Sequence, residues 1–462
     1  MISPSEKGET GDSKSLESHE WRWNNYEERK RVWVEAYGCS ASMGDSERIR
    51  GILINAGYEL ALQPTQSDLN LIVTCGVKES TEHRMLSRIK SLASVRKPLV
   101  IAGCLPKADR KLIERLYPGA SLLGPHSLDM TLDVIKDCIR GKKLVALEDS
   151  TADKVGLPSL RINKIVGIVQ ISSGCLSDCS FCQTKLAKGD LRSYRIGDIA
   201  REVTISVREG CKEIWLTSTD NGCYGYDIKT DLVNLLDALA MISGNFKIRV
   251  GMMNPMYLPR FSGRLIKTYL EFDKLFKFLH VPVQSGSERI LKRMKRGHTA
   301  MSFRRIVDSF RKHIPEITVA TDIIVGFPSE NEEDFQNTLD LIQETKPDIV
   351  NASKFSPRPG TLASRLPRIS SSVVKRRTNE LHKITRAVSR ERNEIWRQWK
   401  GKIVIDEVND KFIQGRNYAY KPVVLSPSPS LENLARNPIL GSILHVKIDD
   451  ISNFSLKGSI LT

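Results

Sequence analysis

Residues Ile165–Cys182 read IVGIVQISSGCLSDCSFC. The first seven, Ile165–Ile171, are an apolar run of the length and β-branched content of a buried strand. Gly174 follows, then Cys175, Cys179 and Cys182 in the spacing C-x3-C-x2-C, with Ser177, Asp178 and Phe181 between them. The cysteines thus leave the C-terminal end of a strand, where open α/β sheets and barrels place their ligands. Zinc sites usually take four ligands, often as paired CxxC units, and no nearby histidine completes such a set. Three thiolates on a cubane [4Fe–4S] cluster leave one iron open to a chelating ligand. The cluster suits three ligands better, and zinc stays the alternative.

Downstream, strand and helix alternate. Strands are expected at Glu213–Thr217, Lys247–Gly251, Leu275–Val281, Val319–Val325 and Ile349–Phe355. Helices are expected at Ile199–Glu209, Phe303–His313 and Glu332–Thr345. This pattern predicts a partial (βα)6 barrel over about 160–370. Its strand ends read STDNGCYG at 218–225, MMNP at 252–255, PVQSGS at 282–287 and GFPSE at 326–330. Polar and glycine residues there share one rim with the cysteine triplet, and Gln284 and Ser285 are candidates to hydrogen-bond a ligand.

Upstream lies a second set. Strands Arg31–Tyr37, Leu69–Thr74 and Pro98–Ala102 end at Cys39, Cys75 and Cys104. Helices fit Asp45–Ala56 and Glu79–Ser91. Right-handed crossovers put all three ends on one side of a parallel sheet, so three thiols converge in an open α/β domain. Buried core cysteines are the plainer alternative. Cys138 and Cys211 read as packing residues, Cys223 sits on the rim without a partner at ligand spacing, and His280 reads as a hydrogen-bonded core residue.

The chain of 462 residues is too long for one ordinary domain. Its odd count of nine cysteines argues against a disulfide framework. No apolar run could span a bilayer, and no signal peptide opens the chain; a cytoplasmic protein without membrane attachment is expected. The net charge of +16 favours a polyanionic partner, nucleic acid first. The segment 372–402 is strongly basic and reads as helix. Short strands then follow at Lys402–Asp406, Tyr420–Leu425 and Ile443–Ile448, a small β-barrel pattern. Arg416, Tyr418, Tyr420 and Lys421 fall on or near a hairpin, where stacking and phosphate pairing would hold RNA.

The triplet resembles the radical S-adenosylmethionine signature, with an aromatic residue, Phe181, in its second gap. YGCSASMGDSE, TCGVKESTE, AGCLPK, SSGCLSDCSFC, HVPVQSGS, TDIIVGFP and KFSPRPGT, in this order, resemble the methylthiotransferases from about residue 30 onward. The resemblance implies a radical-generating [4Fe–4S] cluster on Cys175, Cys179 and Cys182, whose open iron is chelated by S-adenosylmethionine, and an auxiliary [4Fe–4S] cluster on Cys39, Cys75 and Cys104. It implies cofactor contacts at Phe181, Ser218, Asp220, Asn221, Gly222, Gln284, Ser285, Asp322, Gly326 and Phe327. STDNG replaces the glycine-glycine-glutamate form of the wider superfamily, which makes Asp220 the candidate for the cofactor amine. The expected domains are a disordered tail (1–28), a methylthiotransferase domain (29–145), a linker (146–160), a radical S-adenosylmethionine domain with its basic helix (161–393) and a TRAM-like RNA-binding domain (394–462).

TCGVKESTEHRM and GRNYAYKPVVL look closest to the archaeal and eukaryotic threonylcarbamoyladenosine branch; the end at KGSILT, without an apolar tail, points to an archaeal source. The expected reaction is methylthiolation of N6-threonylcarbamoyladenosine 37 of tRNA. Isopentenyladenosine 37 is the alternative substrate, and a non-catalytic iron–sulfur RNA-binding protein the alternative class. Expected partners are tRNA, an electron donor such as flavodoxin or ferredoxin, and a sulfur donor, with the chain a monomer. A carboxylate-bearing substrate needs a cation in its pocket, and Arg192 and Arg195 are the candidates.

Overall fold

The computed structural model of the chain describes residues 30–76, 79–150, 152–409, 412–425 and 440–461, with only the backbone at 79–81. The tail expected at 1–28 lies outside the described residues.

Arg31–Ala36, Leu69–Thr74 and Leu99–Gly103 are adjacent strands of a six-stranded parallel sheet. Every residue of Leu69–Thr74 is buried, as its unbroken LNLIVT run requires of a central parallel strand. Three strands of two or three residues complete the sheet: Glu59–Leu60 at one edge, Ser121–Leu123 and Val145–Ala146 at the other. They are too short to carry a periodic signal, and only three strands were expected.

The first helix runs Ser40–Asn55, beginning directly after Cys39 rather than at residue 45. It is wedged between this sheet and the central barrel. Gly44 lies against Ile168 of the first barrel strand, where an added Cβ would meet Ile168 Cγ2 at 3.1 Å. Asp45, Glu47 and Arg48 are consequently buried polar residues of this helix. They are satisfied across the seam: Lys154 Nζ donates to Asp45 Oδ1 at 2.8 Å, Gln170 Nε2 to the same oxygen at 2.7 Å, and Arg48 Nη2 to Glu202 Oε1 at 2.7 Å. The segment expected as a linker is a packed strap here, with Lys154 3% exposed and the Leu160 amide bonded to the Glu47 carbonyl.

The central barrel has the six strands expected. Val166–Gln170, Glu213–Thr217 and Lys247–Val250 form one parallel sheet; Phe278–His280, Thr318–Val325 and Ile349–Lys354 form another. An isolated parallel bridge, Ile248 to Leu275, joins them, so the first and last strands are the open edges. The core between the sheets and their helices is apolar, with Val169, Ile214, Leu216, Ile248, Val281 and Val319 fully buried. Each such side chain contributes roughly 1.5–3 kcal/mol.

The basic helix runs Ser371–Glu394 and stops well before the expected 402. Lys400–Val408 is already strand, the first of a closed five-stranded barrel with Ile413–Arg416, Pro422–Leu425, Leu456–Ile460 and Ile443–Ile451. The strand Leu456–Ile460 was not foreseen; its parallel pairing with Pro422–Leu425 closes the barrel.

Candidate active site

The cysteine loop is an excursion from the first barrel strand. Its neck is a two-residue antiparallel ribbon, Ser172–Ser173 against Arg192–Ser193. Gly174 turns the chain at φ +69°, and a Cβ there would lie 1.7 Å from the Asp190 carbonyl oxygen. Only glycine can make that turn. Beyond it the loop is pinned to the strand ends. Ser177 Oγ lies 3.0 Å from Tyr257 Oη, Asn254 Nδ2 donates to Ser177 Oγ at 3.4 Å, Ser180 Oγ donates to the Arg293 carbonyl, and Arg296 Nη1 reaches Cys179 Sγ at 3.3 Å. Cys223, left unassigned from sequence, is fully buried, and its sulfur, that of Cys175 and the Asp220 carboxylate lie within 4.8 Å of one another. A hydrogen bond from the Cys223 thiol lowers the Cys175 pKa to about 7 and raises that of Cys223.

The upstream cysteines do converge. Gly38, at φ +125°, lies against Cys75, where a Cβ would meet the Cys75 Cβ at 2.2 Å and its Sγ at 2.9 Å. A hydrogen bond from Cys75 holds the Cys39 thiol well below its ordinary pKa, whereas burial pushes Cys104 up. The ammonium of Lys188, only 7% exposed, serves this face. Burial disfavours its charge, yet Cys104, Cys39, Asp45 and Cys75 together hold its pKa above the ordinary range. Lys188 ends the short helix Gln183–Lys188 that follows Cys182. One helix therefore links the two cysteine sets. Nothing in the local sequence marks Lys188 out; only the packing of this helix beside the N-terminal domain does.

Cys182 of the downstream set lines a cavity of about 650 Å³, and the upstream set approaches it only through Gly76, the residue after Cys75. Gly76 and His83 line it from the N-terminal domain, Phe181–Thr184 from the cysteine loop, Gln284, Asp322, Asn351 and Phe355 from the barrel rim, and Thr378 and His382 from the basic helix. Asp322 accepts from Asn351 Nδ2 at 2.7 Å and lies 3.2 Å from His280 Nε2, so His280 is the hydrogen-bonded residue expected. Gln284 reaches the cavity at φ +75°, bridging to Ile323.

Several of the residues expected to contact the cofactor do not line this cavity. Ser285 is fully buried and turned away, bonded by the Ser287 amide and beside Thr338. Gly326 packs on Val374 and its amide donates to Glu330, while Phe327 is fully buried edge-on to Phe355; both support the cavity wall from behind. The Asp220 Oδ1 atom is occupied by the amides of Gly222 and Asn254, which shapes the 218–223 loop. The Ser218 and Thr219 hydroxyls and Asn221 Oδ1, by contrast, are buried atoms without a hydrogen-bond partner among the described residues.

Arg192 and Arg195 do not line the cavity. Arg192 stands at the neck of the loop and pairs with Asp153 and the Ser150 carbonyl; Arg195 is exposed at a helix N-cap. The cations at the cavity are Arg358, which is buried and paired with Glu82 of the N-terminal domain, and Lys354.

The hairpin residues proposed for RNA belong to a seam between barrels instead. Tyr420 is 7% exposed and packs edge-on to Phe276 and beside Phe278 at the foot of the central barrel. Lys421 is 4% exposed, and its Nζ donates to Asp348 Oδ1 and Asn393 Oδ1 at 2.8 Å each. Arg416 pairs with Asp406 and lies over the Tyr420 ring, and Tyr418 packs on Trp396 and Trp399. Buried carboxylates claim these cations, Asp406 that of Arg416 and Asp348, 73 residues away, that of Lys421, and the hairpin's own pattern does not show them.

The residues fit iron–sulfur cofactors: two thiol sets of three, a guanidinium on one sulfur, a buried ammonium beside the other set, and unpartnered buried oxygens on the rim.

Residues 169–342 match the Radical SAM superfamily, and residues 31–124 match Uncharacterized protein family UPF0004. The "Probable threonylcarbamoyladenosine tRNA methylthiotransferase" of Pyrococcus abyssi is 38% identical over 399 residues, covering 86% of this chain and 93% of that protein. That of Archaeoglobus fulgidus is 39% identical over 428 residues, 91% of this chain and 96% of that protein. The "Threonylcarbamoyladenosine tRNA methylthiotransferase" of Homo sapiens is 33% identical over 437 residues, 93% of this chain and 74% of that protein. Among solved structures, the radical S-adenosylmethionine methyltransferase TsrM from Kitasatospora setae, with cobalamin and a [4Fe–4S] cluster bound, shares the fold at TM-score 0.53 and 13% identity, covering 73% of this chain and 77% of that one. Fold and site together define a radical S-adenosylmethionine enzyme, whose cofactors are a [4Fe–4S] cluster and S-adenosylmethionine. Within that class, the chain belongs to the threonylcarbamoyladenosine tRNA methylthiotransferase family.

Proposed function

We propose that the chain methylthiolates C2 of N6-threonylcarbamoyladenosine 37 in tRNA. The observation that carries this is the shared cavity, bordered by the loop after Cys75 on one side and the Cys182 loop on the other. A nucleoside base there would lie between the loop that carries Cys182 and the loop that follows Cys75. Cys175, Cys179 and Cys182 would hold the radical-generating cluster, and Cys39, Cys75 and Cys104 the auxiliary one. When bound, these groups supply the deoxyadenosyl radical that abstracts the unactivated C2 hydrogen, the sulfur, and from a second S-adenosylmethionine the methyl group.

The chain's own residues bind, orient and exclude water. Phe181 and Phe355 offer apolar walls, and the unpartnered Ser218 and Thr219 hydroxyls wait for a polar ligand at the rim. Lys188 offsets the negative charge of three thiolates in a buried place. Lys354 and Arg358 put cations at the cavity; Arg358 is already paired with Glu82, so exposed Lys354 is the cation that a threonylcarbamoyl carboxylate would meet and an isopentenyl chain would not.

Mass spectrometry of nucleosides from tRNA carrying either modification at position 37 tests this. Methylthio product on the threonylcarbamoyl substrate is expected, lost when Cys39, Cys75 and Cys104 are replaced together while deoxyadenosine formation persists. Iron should fall in that variant from about eight per chain to about four. Product on the isopentenyl substrate alone would falsify the assignment.

A further inference from the structure

The basic helix Ser371–Glu394 joins two functional places. Near its start, Val374 packs on Gly326 behind the cavity, and Thr378 and His382 line the cavity itself. Near its end, Ser389 Oγ donates to the Asn453 carbonyl at 2.6 Å and Asn393 Nδ2 to the Ser452 carbonyl at 2.8 Å, both in the C-terminal barrel. The arginines that face neighbouring elements are committed. Arg376 and Arg377 pair with Glu332, Arg377 also with Glu330, and Arg392 with Asp348.

The remaining cations are arranged otherwise. Lys375, Arg386 and Arg390 are exposed and, with exposed Asn379 and His382 between them, are spaced by three or four residues, so they lie on one face, with exposed Lys383 beside them. No acidic residue interrupts that face. Lys375, Lys383 and Arg386 have no carboxylate within ion-pair distance among the described residues. From Lys375 to Arg390 the stripe runs roughly 22 Å at 1.5 Å per residue, long enough for several successive phosphates.

A row of exposed cations, three of them without an ion-pair partner among the described residues, running beside the cavity read as the nucleoside site fits a nucleic-acid backbone. We propose that this helix face is the phosphate track along which the tRNA anticodon arm lies while base 37 occupies the cavity. The hairpin cations of the C-terminal barrel, spent on the interdomain seam, do not serve in its place. The inference rests on the tRNA reading of the cavity and adds the surface that holds the RNA.

The test measures binding of full-length tRNA to the reconstituted full chain across a salt series. The variant is Lys375→Gln, Lys383→Gln and Arg386→Gln combined; none of the three lines the cavity. Each phosphate contact adds about 0.7–0.9 to the slope of log affinity against log salt, so the slope should fall by about two to three. Deoxyadenosine formation without RNA should match wild type, which also reports folding. Arg376→Gln, committed to Glu332 and Glu380, should leave the slope unchanged. Equal slopes for wild type and the triple variant, with tRNA still bound, overturn the track and leave the enzymatic reading standing. A loss confined to phosphatidylserine vesicles would overturn it too. Failure of wild type to bind tRNA at all overturns both.

Discussion

Glu213 opens the second barrel strand, fully buried at the seam with the C-terminal barrel. Burial pushes its carboxyl up to about 7, against the hydrogen bond from Trp215 Nε1 and with Asp406 adding to the rise, while Arg416 and Arg249 oppose it. Unfolded, the group returns to its ordinary value near 4.5. Folding therefore takes up a proton between these values. The contribution to stability is complete below about 4.5 and is lost as pH rises through about 7. Glu213→Gln keeps the acceptor for Trp215 and removes the titration. The variant should be more stable than wild type at pH 8 by up to ~3 kcal/mol, with a flatter profile from pH 5 to 7. Urea midpoints at stepped pH check this; parallel profiles would show that Glu213 keeps its charge in the fold.

At the scale of elements, the cysteine loop depends on its neck more than on its own residues. The Ser172–Ser173 and Arg192–Ser193 ribbon closes it, and Gly174 lets the chain pass the Asp190 carbonyl. Gly174→Ala puts a methyl group 1.7 Å from that oxygen, so the neck must open. The expected variant folds, retains about four irons of about eight, and forms no deoxyadenosine, although all six cysteines remain. Iron analysis with product detection decides it, and full iron with normal deoxyadenosine would refute the role of the neck. The same ribbon explains why Arg192 missed the cavity. It stands where the loop rejoins the barrel, facing Asp153 rather than the rim.

At the scale of the molecule, three bodies are locked by buried charge. Asp45 with Lys154 and Gln170 holds the first helix to the barrel, Glu82 and Arg358 meet at the cavity, and Asp348 with Lys421 holds the C-terminal barrel. Burial disfavours the Asp348 carboxylate, yet Lys421 and Arg392 hold its pKa below the usual carboxylate range. Lys421→Met should cost about 2 kcal/mol, since Arg311 and Arg392 still face Asp348. It should leave the salt dependence of tRNA binding unchanged. Thermal unfolding beside a salt titration checks this; a lower slope without loss of stability would return Lys421 to the RNA face.

The sequence by itself determined the strands that carry chemistry and the thiols at their ends. LNLIVT and EIWLT are strands at their expected bounds, because a buried parallel strand is written as a continuous apolar run. Cys39, Cys75 and Cys104 shared one end because parallel strands leave no other arrangement. Tertiary structure alone decided which side chains face the cavity. Ser285 turned to Thr338, Phe327 to Phe355, and Lys421 to Asp348, 73 residues away. Strand Leu456–Ile460 exists because the barrel had to close, and Lys188 matters because a helix of the cysteine loop packs on another domain. A side chain's local pattern says what it can bond, but its partner is fixed by whichever buried charge or apolar surface the fold brings up against it.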